Sequence, residues 1–142
     1  MPGTTRMLRP PRAILSLGRP PISATITASR STARTLLDVA GGTGAYSIAL
    51  ARQNPELHAT IVDFPNVIEV ARRYVDEAGM GERIDLVPGD ALNVEWPGSQ
   101  DVVLMSYLLS AVGEADIPVL LDRAMAALKP GGRLVIHDFM LN

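Results

Sequence analysis

The 142-residue chain has no cysteine and only two histidines. Without cysteine it can form neither a disulfide nor a thiolate metal site, and His58 and His137 lie too far apart in sequence to show a metal-ligand spacing. We therefore expect no metal site. A chain without disulfides fits a reducing compartment, and we expect a cytoplasmic protein.

Long apolar runs are also absent. None approaches the roughly 18 residues that a membrane-spanning helix needs, so we expect no membrane association. Aromatic residues make up only 4% of the chain, but apolar residues together make up 47%. This length and composition predict one domain with a modest core.

Acidic residues are missing from the first 34 positions, which contain six arginines and several prolines. This segment shows neither strand nor helix periodicity, so we expect residues 1–34 to be a disordered or non-native leader. Its composition is also that of an organellar transit peptide, although the prolines interrupt the helix such peptides form. A third explanation is a start assigned upstream of, or out of frame with, the true coding sequence. The remaining residues carry seven bases against fifteen acids, which argues against nucleic acid as a partner.

From residue 35 onward, short apolar runs alternate with helical patterns. We predict strands at 35–40, 59–63, 84–87, 101–105 and 133–138, and helices at 45–53, 66–78 and 115–128. This alternation predicts right-handed βαβ units, and therefore an α/β fold with a parallel sheet. Ligands of such sheets bind at the carboxyl ends of the strands.

The first predicted strand runs into the glycine-rich heptapeptide DVAGGTG at residues 38–44. Glycines at a strand-to-helix turn permit positive φ and let a ligand approach backbone N–H groups. The next apolar run ends in Asp63, about 20 residues later, where such folds bind ribose hydroxyls. A third run ends in Gly89, Asp90 and Ala91. Together the three strand ends predict one nucleoside pocket rather than an ordinary tight turn.

Dinucleotide binding is the first alternative for this turn. Its fingerprint, G-x-G-x-x-G, would need a glycine at position 47, where the chain has Ser47. An acid followed by alternating glycines fits better, with only the first glycine replaced by Ala40.

With these motifs the chain resembles the S-adenosylmethionine-dependent methyltransferases of Rossmann-like fold. It is most similar to the small-molecule O-methyltransferase family that includes plant caffeate and animal acetylserotonin enzymes and bacterial polyketide-tailoring enzymes. The resemblance covers residues 35 to the end. It rests on DVAGGTG at 38–44, VDFPNVI at 62–68, PGD at 88–90 and ALKPGGRL at 127–134.

This resemblance implies a class I methyltransferase fold with strand order 3-2-1-4-5. The family's amino-terminal helical domain and its last two strands have no counterpart in the sequence. We therefore expect a chain truncated at both ends, in which residues 35–142 form a partial S-adenosylmethionine-binding domain. The fifth strand is then expected to be a bare sheet edge.

The resemblance also implies a cofactor site for S-adenosylmethionine. The glycine turn would bind the methionine carboxylate, Asp63 the ribose hydroxyls, and Asp90 the exocyclic amine of adenine. Asp38 either holds the turn or attracts the ammonium group, and Phe64 either flanks the adenine or belongs to the core. The predicted cofactor-binding residues are Asp38, Ala40, Gly41, Gly42, Gly44, Asp63, Phe64, Asp90, Ala91 and Ser106.

The catalytic positions depart from the family pattern. The family's base histidine falls on Ser110 and its partner carboxylate on Asp138. A serine hydroxyl is not a base near neutral pH, so another group deprotonates the acceptor, the acceptor is acidic enough alone, or the chemistry differs. His137 precedes Asp138 on a predicted strand and would point to the opposite face, so we expect a structural role for it.

The resemblance implies O-methylation of a small aromatic or polyketide-like hydroxyl by the complete enzyme. The expected partners are a small-molecule acceptor and, in the full-length enzyme, a second copy of the chain. The alternative is an S-adenosylmethionine-binding domain that is degenerate or serves a non-methylating reaction such as hydroxylation. We expect the 142-residue chain alone to bind the cofactor weakly without turnover.

Overall fold

The computed structural model describes residues 32–139 and, for the backbone, residues 12–16. The elements follow one another as β1 (Arg12–Ser16), β2 (Thr35–Val39), α1 (Ala45–Gln53), β3 (His58–Asp63), α2 (Pro65–Glu77), β4 (Ile84–Pro88), β5 (Gln100–Ser106), a 3-10 turn (Leu109–Ala111), α3 (Asp116–Ala127) and β6 (Leu128–His137). Within these residues no helix combines the length and the apolar character needed to cross a bilayer.

All six strands form one parallel sheet in the order β1-β6-β5-β2-β3-β4. Counted from β2, five of them have the order 3-2-1-4-5, which confirms the predicted α/β fold. The chain reverses its direction of winding between β2 and β5. Ligands of open α/β sheets bind at such a reversal, at the carboxyl ends of the strands.

Strand β1 differs from two expectations. No strand is predicted within residues 1–34, and the fifth strand of the family order, here β6, is predicted to be a bare edge. Both expectations are wrong here, because β1 lies parallel to β6, with Arg12 opposite Arg133 and Ser16 opposite His137. An uncovered strand presents unpaired N–H and C=O groups, and a short extended segment satisfies them. The predicted leader otherwise lies outside the described residues up to residue 31.

The core has two layers because both faces of the sheet are covered by helices. Leu36 of β2 belongs to one apolar cluster with residues of α1 and α2, whereas Leu37 and Val39 belong to a second cluster with residues of α3. Successive strand residues point to opposite faces, so a strand that is buried on both faces must be apolar throughout. This explains why the uninterrupted run before the glycine turn forms a central strand.

The last strand begins earlier than predicted. Leu128 already pairs with Gln100, and the next pairing joins Arg133 to Val102, so residues 129–132 bulge out of the ladder. Gly132 fills this bulge because a Cβ there would lie 2.9 Å from the carbonyl oxygen of Gln100. The predicted start of this strand at residue 133 is therefore wrong, and α3 ends at Ala127.

Candidate active site

A cavity of about 410 Å³ opens at the carboxyl ends of the central strands. Six of the ten predicted cofactor residues line it, namely Ala40, Asp63, Phe64, Asp90, Ala91 and Ser106. The other four, Asp38, Gly41, Gly42 and Gly44, belong to β2 and the turn that follows it. The three predicted strand ends thus meet at one cavity.

The glycine turn has a left-handed backbone at alternate positions. Ala40 has φ 59°, Gly42 φ 61° and Gly44 φ 81°. The N–H of Gly44 donates to the Gly41 carbonyl at 3.0 Å, and the N–H of Gly42 donates to Oδ2 of Asp63 at 2.9 Å. Two of the four N–H groups that the sequence assigns to an anion are therefore used within the chain. The turn is held in shape by its own contacts.

Asp38 lies beneath this turn and is completely buried. The Ser47 hydroxyl donates to its Oδ2 at 2.7 Å, which connects β2 to the first turn of α1. Burial raises the pKa of Asp38 to about 6; the Ser47 hydrogen bond opposes this rise and the nearby charge of Asp63 adds to it. These contacts are those of a residue that holds the turn, whereas attraction of an ammonium group stays a prediction.

Asp63 ends β3 and faces the cavity. Its Oδ2 accepts the Gly42 N–H, and its Oδ1 accepts the Phe64 N–H at 2.8 Å. A carboxylate oxygen has two lone pairs, so each oxygen can accept one more hydrogen bond. Phe64 is 53% exposed at the rim, which rules out the core alternative for its ring.

Asp90, two residues after β4, and Ser106, the last residue of β5, line the cavity. The Leu92 N–H donates to Oδ1 of Asp90 at 2.9 Å, which fixes the carboxylate after the strand end. The Oγ of Ser106 is buried and has no hydrogen-bond partner among the described residues. Buried polar atoms are nearly always paired, so this hydroxyl indicates that a ligand completes the site.

Ser110 and Asp138 lie close together beyond β5 and β6, as their assignment to one catalytic pair requires. The Ser110 N–H donates to Oδ2 of Asp138 at 3.1 Å, and the Phe139 N–H donates to Oδ1 at 2.8 Å. Although desolvation works against it, hydrogen bonds from the Ser110 hydroxyl and from backbone N–H groups lower the pKa of Asp138. Neither residue lines the cavity.

Sequence reasoning missed Tyr107, which lines the cavity directly after β5. Its hydroxyl lies 2.9 Å from Nε2 of His137, and its ring contacts that imidazole edge-on. The position of a tyrosine immediately after a predicted strand was the available signal. Its positive φ of 55°, which turns the side chain at this point, could not be read from the sequence.

Residues 24–142 match the model of the O-methyltransferase domain family. The chain belongs to this family. Its members depend on S-adenosylmethionine, and the O-methyltransferase of neocarzinostatin biosynthesis has been solved in complex with S-adenosylmethionine and 2-hydroxy-5-methyl naphthoic acid. That structure is 25% identical to the chain, covers 80% of it with 34% of its own length, and has a TM-score of 0.70. The structure of the mitomycin 7-O-methyltransferase has a TM-score of 0.75 and is 29% identical to the chain. The match covers 85% of this chain and 36% of the mitomycin enzyme.

The curated relatives catalyse more than one reaction. An L-tyrosine C(3)-methyltransferase of Streptomyces lavendulae is 36% identical over 75% of this chain and 29% of its own. A 3-hydroxy-5-methyl-1-naphthoate 3-O-methyltransferase of Streptomyces sahachiroi is 36% identical over 77% of this chain and 32% of its own length. An aclacinomycin 10-hydroxylase of Streptomyces purpurascens is 37% identical over 76% of this chain and 29% of its own length. The chain spans about three tenths of the length of these relatives.

Proposed function

We propose that the complete enzyme transfers the methyl group of S-adenosylmethionine to a hydroxyl of a small aromatic or polyketide-like acceptor. The observation that supports this most is the Asp63 carboxylate, which carries one backbone donor on each oxygen and keeps two lone pairs at the cavity. A cytoplasmic location and a homodimer of the full-length enzyme belong to the same proposal.

The residues at the cavity fit this cofactor. Asp63 would accept from the two ribose hydroxyls, and Asp90 with Ala91 would contact the adenine. The unpaired Ser106 hydroxyl gives the ligand one further polar partner inside the cavity. When bound, S-adenosylmethionine supplies a methyl carbon that its positive sulfur already activates. The main tasks of the protein are then to align the reactants and to exclude water, which together can lower a barrier by about 7–11 kcal/mol.

The acceptor class is supported by the relatives and by the cavity wall. Leu108, Ala111, Val112 and Leu120 give one side of the cavity an apolar surface. Apolar walls with a few convergent polar groups are typical of sites for planar organic ligands. The relative that methylates a naphthoate hydroxyl is in keeping with an aromatic acceptor.

A second candidate function is a non-methylating reaction on the same cofactor site. It is favoured by Ser110, which stands where the family has its base, and by the relative that is a hydroxylase. Ser110→His in the full-length form discriminates between the two. A gain of methyl transfer would mark a degenerate methyltransferase, whereas high activity in both forms would show that no base is needed at this position.

Calorimetry on the purified chain tests cofactor binding. We expect S-adenosylmethionine and S-adenosylhomocysteine to bind and NAD not to bind. Asp63→Asn should weaken S-adenosylmethionine roughly 10- to 150-fold, because a hydrogen bond to a charged group contributes about 1.5–3 kcal/mol. Asp85→Asn is the matched control, since Asp85 is exposed on β4 and does not line this cavity. Tight NAD binding without S-adenosylmethionine binding would overturn the proposal.

A further inference from the structure

Methylation of a hydroxyl that is not acidic enough to ionise alone requires a group that takes its proton, and the two positions that the family pattern assigns to this step do not supply one. A serine hydroxyl is not a base near neutral pH. The lowered pKa of Asp138 makes that carboxylate a weak base, and both of its oxygens already accept hydrogen bonds. A proton acceptor must therefore be sought elsewhere at the carboxyl end of the sheet.

The chain has two histidines, and the sheet separates them. His58 begins β3 and is exposed at the amino end of the strands. His137 ends β6, at the same end of the sheet as the cavity. An imidazole is the side chain best suited to take a proton near neutral pH, so position alone selects His137.

His137 reaches the cavity through Tyr107. The tyrosine hydroxyl lies 2.9 Å from Nε2 of His137, and Tyr107 itself lines the cavity. The other ring nitrogen, Nδ1, is buried and has no hydrogen-bond partner among the described residues. No contact within that part of the chain therefore fixes the imidazole in one tautomer, and Nε2 is able to accept the tyrosine proton.

The backbone holds Tyr107 in an uncommon conformation for this contact. Its φ of 55° lies in the left-handed region, which costs a non-glycine residue about 1–3 kcal/mol. The Tyr107 N–H donates to the His137 carbonyl at 2.7 Å, and its ring lies 5.0 Å from that of Phe139. Such strain persists where the surrounding contacts determine the conformation, and it is concentrated at functional sites.

We propose that Tyr107 and His137 form the proton-accepting pair of this enzyme, an inference that rests on the proposed methyl transfer. The acceptor hydroxyl gives its proton to Oη of Tyr107, and Tyr107 gives its own proton to Nε2 of His137. The imidazole becomes an imidazolium with a proton on each nitrogen and later releases one proton to solvent. Tyr107 is the catalytic residue, and His137 acts through it as a positioning residue.

Within residues 32–139, no other titratable group in contact with the imidazole competes for this proton. Ser106 on β5 is its neighbour in the sheet register, and a serine hydroxyl does not titrate near neutral pH. Asp138, the next residue along the chain, is hydrogen-bonded to Ser110 and Phe139 instead. Of the titratable groups in these contacts, Tyr107 is the one that reaches Nε2.

Two variants test the pair by kinetics. Tyr107→Phe keeps the ring but removes the hydroxyl, and His137→Gln keeps a hydrogen-bond acceptor but removes the titrating group. In the full-length enzyme, with S-adenosylmethionine and a panel of phenols, each should lower kcat by roughly 10²- to 10⁴-fold, the usual contribution of general base catalysis, with an unchanged Kd for S-adenosylmethionine. The rise of kcat/KM with pH that reports the base should disappear in His137→Gln. His58→Gln is the matched control and should behave as wild type.

Nuclear magnetic resonance on the isotope-labelled chain tests the same pair without turnover. At alkaline pH, Nε2 of His137 should be the unprotonated nitrogen, and Tyr107→Phe should change the chemical shift of this nitrogen. A proton on Nε2 that is donated to Tyr107 would overturn the inference, because the imidazole then has no lone pair for the tyrosine proton.

The results of these experiments distinguish failure of the Tyr107–His137 pair from failure of the proposed methyl transfer. Methyl transfer by wild type that survives in both Tyr107→Phe and His137→Gln overturns the pair and leaves the proposed function standing. Failure of wild type to bind S-adenosylmethionine overturns both. If the cofactor binds but no phenol in the panel is methylated, the protonated nitrogen of His137 decides for or against the pair.

Discussion

In two aspartate–serine pairs, one on each side of the site, the pKa of the aspartate is shifted in opposite directions. Asp38 accepts from Ser47 in the interior, and burial raises its pKa to about 6. Asp138 accepts from Ser110 at the surface, where hydrogen bonds outweigh desolvation and lower its pKa. The same two residue types therefore hold the glycine turn in one place and a half-buried carboxylate after the end of β6 in the other. Asp38 is fully buried with one hydrogen bond that lowers its pKa, whereas Asp138 is less buried and has several, so burial and hydrogen bonds together set the direction of the shift.

The largest expected effect is on the pH dependence of stability. The pKa of Asp38 is about 6 in the folded chain against 3.8 ordinarily, so the folded state keeps this proton over a range in which the unfolded state has lost it. The contribution of Asp38 to the free energy of unfolding should therefore fall by about 2.4 kcal/mol as pH rises from 4 to 7. Urea unfolding across this range checks it.

Asp38→Asn should remove this slope, whereas Asp85→Asn should retain it. Asp138 gives the opposite sign, because a lowered folded pKa contributes stability that is lost as pH falls below its ordinary value of 3.8. The Asp38–Ser47 pair thus changes the free energy of unfolding above about pH 4, and the Asp138–Ser110 pair changes it below. An unchanged slope above pH 4 in Asp38→Asn would show that the buried pair is not its source.

Gly41→Ala should have the next largest effect. A Cβ at this position would lie 2.8 Å from Asp38 Cγ and from Ile61 Cγ2, so the buried pair and β3 would have to move apart. We expect a loss of about 2–3 kcal/mol in the free energy of unfolding, together with weaker S-adenosylhomocysteine binding. Gly98→Ala is the control, because an added Cβ there meets no atom within 4 Å. Equal melting temperatures for both variants would contradict this packing.

Ser47→Ala should cost somewhat less. It leaves a buried carboxylate without its hydroxyl donor, which destabilises by about 1–2 kcal/mol and raises the pKa of Asp38 further. The pH scan described for wild type should therefore steepen. Thr43→Ala, an exposed hydroxyl in the same turn, serves as control. A scan that stays the same in Ser47→Ala would mean that this hydrogen bond does not stabilise the charged form.

Ser110→Ala should have the smallest effect on stability, below about 0.5 kcal/mol, because the residue is exposed. The pKa of Asp138 should nevertheless rise toward its ordinary value, since one of the hydrogen bonds to the carboxylate is lost. Carboxyl carbon chemical shifts across a pH titration measure this directly. A loss of stability as large as that of Ser47→Ala would remove the contrast between the two pairs.

The sequence predicted the cofactor side of the site, around the glycine turn and Asp63, better than the acceptor side, around Tyr107 and Ser110. The reason is physical. Strand, glycine turn and helix follow one another locally at residues 35–53, so composition and spacing define them. The contact of Asp63 with Gly42 spans 21 positions but follows from the sheet topology once the strands are known. Most of the cofactor side could therefore be predicted from patterns of residues that are close in the sequence.

The acceptor side depends on features that have no local signature. The left-handed backbone of Tyr107 is set by its contact with His137, 30 residues away. Strand β1 pairs with β6 across more than 100 residues, and a five-residue strand with three apolar residues is too short to stand out. The assignment of Ser110 and Asp138 to one pair came from family resemblance, and the structure places them in contact.

The most direct test of the central claim is amide chemical-shift mapping of the labelled chain with S-adenosylhomocysteine. The account predicts saturable shifts at Asp63, Phe64, Leu92 and Ser106, which line the cavity. Residues of a second surface groove, Thr60, Glu95 and Trp96, should not move. Shifts confined to that groove, or none at the four cavity positions at saturating ligand, would contradict the claim that the strand ends form the cofactor site.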